Sequence, residues 1–176
     1  MPGPQIPLQV NNYSVWKDGW RFIGMATLTL PNLQNLTDTF KGAGYGGETN
    51  YPVQSHYQDW EVTFNFHSIT RQSLELMRQD AVHVECLAGI EYQDPGTHMV
   101  SIGAWRFGMI VLPKGFDLGA LEVGVKENVA ILCGCTYIKG VLNGETVFEK
   151  DKVNIIDDVL HTDYGRGIRS AIGMSS

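Results

Sequence analysis

The residues of this chain that could carry chemistry are five histidines, three cysteines, a few acidic pairs and one glycine-rich run. His56, His67, His83, His98 and His161 stand in neither His-x-His nor His-Glu-x-x-His spacing, the patterns that aim two imidazoles at one metal ion. His83 and Glu85 lie two apart and share one face of a strand, which is the nearest approach to a ligand pair. Alternation alone produces such neighbours. Cys133 and Cys135 also share a face, with Cys86 distant in sequence. Zinc takes four ligands, so the three thiols read as small buried hydrophobes of a reducing compartment. Asp157-Asp158 has no identifiable acid/base partner, and no serine stands in a Gly-x-Ser-x-Gly elbow. No catalytic, metal-binding or cofactor-binding residue is assigned, and the chain reads as a non-enzyme.

The glycine run is Lys41-Gly-Ala-Gly-Tyr-Gly-Gly47. A phosphate-cradling loop ends on Lys-Ser/Thr and opens a helix, and a dinucleotide loop sits between strand and helix. Here the lysine comes first and an extended polar segment comes after it. The run lies inside a polar loop over 32–58, with Pro52 near its end. A loop of that length within a compact domain usually has a function of its own. We read it as a flexible arm reaching a neighbouring subunit. Trp16, Trp20, Trp60 and Trp105 could stack a sugar or base, but most fall in strands among apolar neighbours and read as core or interface.

These residues belong to a chain of 176, enough for one domain with a real core. A hydrophobic fraction of 43% excludes general disorder, and 20 glycines beside 10% aromatics favour strands and turns over long helices. The net charge of −6, with scattered Lys and Arg, offers no basic stripe for gripping nucleic acid. No apolar run is long enough to span a bilayer, and the N-terminus lacks the basic head and apolar middle of a signal peptide. Folding in the cytoplasm is the expectation.

Periodicity gives the elements. Residues 1–10 hold three prolines and read as an extended arm. Asp18-Gly19 predicts a tight hairpin turn between strands at 12–17 and 20–30, the second stopped by Pro31. In 59–67, Trp60, Val62, Phe64 and Phe66 alternate with Glu61, Thr63, Asn65 and His67, which predicts a half-buried strand. A helix comes next over 69–80, capped by Thr70, with Ile69 stapled on Leu74. Strands at 81–92 and 98–112 form a second hairpin around Asp94-Pro-Gly96, then 113–119 is a connection. Residues 121–142 are extended, broken near 126–128, and Asn143-Gly144 turns into a strand at 145–150. A short strand over 151–159 and a weak helix over 164–174 close the chain. The stretch 130–138 is apolar on both faces and must be covered on both, most simply by another copy.

Four features in order resemble the major tail tube protein family of contractile-tailed phages, shared with R-type pyocins. They are the early hairpin ending Thr27-Leu-Thr-Leu-Pro31; the loop with Phe40-Lys-Gly-Ala-Gly-Tyr-Gly-Gly47; the alternating strand feeding a short helix; and Cys135-Thr-Tyr137 with Asn143-Gly-Glu145 and the ending from Asp151 to Met174. The N-terminus and 113–126 depart from the pattern.

The resemblance implies a single tail tube domain over 1–176, mainly β. It implies an antiparallel β-sandwich or half-barrel with one flanking helix and a long extended loop, completing an inter-subunit β-barrel in a hexameric ring. Rings stack into a hollow conduit for genome delivery. The implied partners are further copies, the sheath, baseplate and tail terminator proteins, and the tape measure protein and DNA in the lumen without specific binding. The implied location is the virion tail, assembled in the host bacterial cytoplasm. A pyocin-like or type VI-like device is the neighbouring reading, and a monomeric β-sandwich binding module is the reading from another class. From strand alternation, Glu61, Thr63, Asn65, His83, Glu85 and Glu91 are expected to face the lumen. The loop over 32–58, with Lys41, Gly42, Gly44, Tyr45, Gly47 and Glu48 about its tip, is expected to make the ring-to-ring contact, and 160–176 forms a C-terminal segment.

Overall fold

The computed structural model describes residues 5–17, 19–21, 25–44 and 46–174. The chain runs β1 (Ile6–Lys17), β2 (Trp20–Arg21), β3 (Met25–Thr29), β4 (Asn35–Phe40), β5 (Thr49–Tyr57) and β6 (Glu61–Phe66), then helix α1 (Arg71–Glu75). It continues with β7 (Val82–Gln93), β8 (Val100–Asp117), β9 (Val129–Leu142), β10 (Glu145–Asp151), β11 (Ile156–Val159), β12 (Thr162–Asp163) and helix α2 (Arg166–Ala171). Among the described residues ten strands form one antiparallel sheet in the order β12-β11-β10-β9-β8-β7-β1-β2, with β6 also on β9 and β3 outside β6.

β9 is the branch point. Along one edge it pairs with β8. Its other edge is shared: Val129–Gly134 pair with β6, and Tyr137–Leu142 with β10. The sheet forks there, and the β6–β3 leaf folds over the face of β7, β8 and β1. Alternation fills the space between. Val62, Phe64 and Phe66 meet Val84, Met109, Val111, Ile131 and Cys133, all at most 1% exposed. The architecture is the expected mainly β half-barrel.

Several local expectations change. The arm is strand from Ile6 onward, because β1 pairs with β7 from Ile6↔Gln93 to Lys17↔Val84 through two bulges. Residues 1–4 lie outside the described part, as do Asp18 and 22–24. Among the described residues the hairpin at Gly19 pairs only Trp16↔Arg21 and Lys17↔Trp20. The remainder of the predicted second strand, β3, joins β6 instead. The loop over 32–58 is a two-stranded ribbon of β4 and β5, separate from the main sheet. The helix over 69–80 shrinks to Arg71–Glu75, where Thr70 and Ser73 close a reciprocal capping box. Leu74 and Ile69 are exposed; Leu76, at 1%, enters the core instead. The predicted connection at 113–119 is largely strand, since β8 continues past a bulge at Pro113 to Asp117↔Ala130. The break in 121–142 is wider than expected, and β9 begins only at Val129. Asn143 and Gly144 have φ of 50° and 88°, the left-handed pair that a type I′ turn requires.

Candidate assembly surfaces

The sheet presents one continuous outer face. On β6, Glu61, Thr63 and Asn65 stand opposite Gly134, Leu132 and Ala130 of β9. On β7, whose pairing with β8 is unbroken, His83, Glu85 and Glu91 point to the side away from core residues Val82, Val84 and Cys86. All six residues thus point away from the core, three on β6 and three on β7. Ion pairs and amides hold them. Glu61 is 3.3 Å from Lys114, and Glu85 is gripped by Arg106. Lys139 and Glu149 add a third pair at 3.3 Å. Asn65 donates to Thr27 Oγ1 at 2.9 Å. Glu91 accepts from Asn11 and Gln9, which hold its carboxyl below the usual range. Lys114 also pairs with Asp59, whose carboxyl is lowered by that bond. These charged groups are five carboxylates, Asp59, Glu61, Glu85, Glu91 and Glu149, and three cations, Lys114, Arg106 and Lys139, with Leu87 and Ile102 exposed among them.

The ribbon is the second surface. Lys41 and Glu48 pair across its tip at 3.6 Å, both largely exposed, and Gly42, Gly44 and Gly47 lie with them. Tyr45 lies outside the described residues. Phe40 and Tyr51 meet edge-on at 6.4 Å yet stay 52% and 46% exposed. The ribbon's root is tied down by residues that sequence reading did not single out. Lys150 pairs with Asp157 and donates to the Tyr57 hydroxyl at 3.0 Å. Lys152 donates to Gln58 O at 2.8 Å and lies 4.4 Å from the Trp60 ring centre. Burial and Asp157 push the Tyr57 hydroxyl far above its ordinary value. Only Asp157-Asp158 as an acidic pair hinted at this cluster.

The third surface is the sheet margin. β1 is paired with β7 on one side, and on the other only Trp16 and Lys17 meet β2 among the described residues. β3 likewise pairs with β6 alone. Between these two strands opens an apolar groove of about 390 Å³, lined by Val10, Tyr13, Leu28, Ile90, Trp105 and Phe107 among others. A further apolar patch, unforeseen in the sequence, is the β8–β9 loop, where Leu121, Val123 and Val125 are almost bare.

The profile of phage tail tube protein FII matches residues 7–173. The chain belongs to that family. The tail tube protein of Escherichia phage P2 is 24% identical over 176 residues, spanning 96% of this chain and 99% of that relative. Two solved structures share the fold with a TM-score of 0.51 and 10% identity over 77% of this chain. One is the sheath/tube terminator of the extracellular contractile injection system PVC in its extended state, of which 96% is covered. The other is the PVC sheath-tube complex in the extended state, covered to 90%. This tube protein is a structural component of the phage tail, and not an enzyme.

Proposed function

We propose that six copies of this tube protein close into a ring by joining sheet margins, and that rings stack into a hollow conduit through which the genome is delivered. The ring is supported by the open edge of β1 beside an apolar groove. An unpaired strand edge with uncovered apolar surface is a liability in a free subunit, and a neighbouring copy removes it. Head-to-tail contacts whose rotation closes make rings, while axial stacking is open-ended.

In this reading the outer face with Glu61, Thr63, Asn65, His83, Glu85 and Glu91 lines the lumen. A wall with a small acidic excess, its cations held in ion pairs, does not grip DNA, as a passage requires. The ribbon tip, with Lys41, Gly42, Gly44, Tyr45, Gly47 and Glu48, meets the next ring. The tape measure protein and DNA occupy the lumen without specific binding. Sheath, baseplate and tail terminator proteins bind outside and at the ends, and assembly takes place in the host cytoplasm.

Negative-stain microscopy of the purified protein, combined with hydrogen exchange of β1, tests this. Hollow rings or tubes, with β1 amides protected only on assembly, are expected. A protein that stays monomeric at high concentration overturns the reading.

A further inference from the structure

We infer that Asp157, paired with Lys150, sets the angle of an elbow at Ser55 in the β4–β5 ribbon. The elbow is visible in the pairing. Asn35 faces Tyr57 at the root, and Thr37 faces Pro52 beyond it, so Leu36 alone opposes Val53, Gln54, Ser55 and His56. Surplus residues on one strand bend a ribbon and re-aim the part beyond the bend. Ser55 has φ of 54°, a left-handed conformation that a side chain bearing Cβ seldom adopts and that persists only where its surroundings hold it.

Asp157 supplies that hold. Ser55 Oγ donates to Asp157 Oδ2 at 3.3 Å, at the bend itself. The carboxylate also takes the Lys150 ammonium, and Lys150 in turn binds the Tyr57 hydroxyl at 3.0 Å. The Asp157 and Lys150 side chains are only 11% and 15% exposed, so neither charge is free to leave its partner for water. The support continues outward. The Asp157 amide donates to Asp163 Oδ1 at 3.3 Å. Arg169 on α2 donates to Asp163 Oδ2 at 2.6 Å and to Ile155 O at 2.8 Å. The C-terminal helix thus braces the turn that carries Asp157. Beyond the elbow the ribbon's strands pair with each other, in a sheet separate from the main one. At about 3.3 Å per residue, the strand from Thr37 to Phe40 carries the tip about 10 Å away, so a small rotation at Ser55 is amplified there.

The consequence for assembly, that Asp157 aims the tip at the next ring, rests on the ring-to-ring role proposed above; the elbow itself does not. The test uses spin labels on Thr49→Cys in the ribbon and Gln79→Cys on the body of the full-length protein. The native thiols are buried and stay unlabelled. Ser55→Ala with Tyr57→Phe cuts both links from the ribbon to the Lys150–Asp157 pair and leaves that pair intact. A narrow distance distribution in the parent, broadened or shifted in the double variant, is the expected result. An unchanged distribution in a folded double variant overturns the inference. Should the double variant fail to fold, Ser55→Ala alone gives the same readout. Deleting 42–47 examines the ring-to-ring role separately: tubes from that deletion would remove the role while leaving the distance result to decide the elbow.

Discussion

Arg106 Nη2 lies 2.8 and 2.7 Å from the two carboxylate oxygens of Glu85, a diagonal contact between β7 and β8 on the outer face. With Glu61–Lys114 and Lys139–Glu149, it sets three cations of an acidic chain against carboxylates on the outer sides of the sheet.

Reversing Glu61 and Glu85 to Lys sets each new cation beside an existing one. Exposed pairs contribute about 0.2–1 kcal/mol, so the fold and the rings survive with a slightly lowered Tm. The basic lumen then holds DNA, and ejection slows. Microscopy and an ejection assay read the two effects; loss of rings would place these residues in an interface instead.

Removing 42–47 shortens the ribbon tip without touching the core. The variant is expected to be soluble and ring-forming, yet unable to polymerise. Normal tubes in sedimentation and micrographs would refute the assignment of the tip.

Phe64 is fully buried in the leaf folded over the core. Phe64→Ala should lower stability by about 3–5 kcal/mol. Leu74→Ala, at a position 46% exposed, should shift it by about 0.5 kcal/mol or less. Denaturant midpoints check both, and equal costs would mean that the burial pattern along α1 and β6 is wrong.

Alkaline pH should destabilise the fold. Burial pushes the Cys86 and Cys135 thiols up to about 11 and Cys133 to about 12, from 9.0. Burial, then the Glu149 hydrogen bond, raises Tyr137 from 10.0 to about 12. Below pH 9 both folded and unfolded thiols keep their protons, and the full stability is present. Above it the unfolded chain releases protons that the fold retains, so stability falls as pH rises through 9 toward 11–12. Thermal melts across pH 7–11 test the sign, and a flat profile would contradict it. At neutral pH the thiols should resist a water-soluble disulfide reagent until denaturant is added.

Much of this could be read from residue order. Trp60, Val62, Phe64 and Phe66 sit inside because a period of two leaves no other choice once one face is apolar. Asn143-Gly144 turns where both residues tolerate positive φ. The alternation that buries the core also turns Glu61, Glu85 and Glu91 away from it. The errors came where a segment's partner lay elsewhere. The glycines and Pro52 of 32–58 suggest a loop, but β4 and β5 satisfy each other's backbone groups and make a ribbon. Residues 1–10 read as an arm because their pattern is weak, and β7, some 80 residues later, draws Ile6–Val10 into the sheet.

Local patterning thus determined the strand class, the buried face and the tight turns, because those depend on neighbours within a few residues. Tertiary structure alone decided the fork at β9, the pairing of β1 with β7 and the joining of Ser55 to Asp157, 102 positions apart. Nothing in the order of residues states which distant strand claims a shared edge or which carboxylate meets a bent backbone. Those choices are made by packing the whole chain around one core.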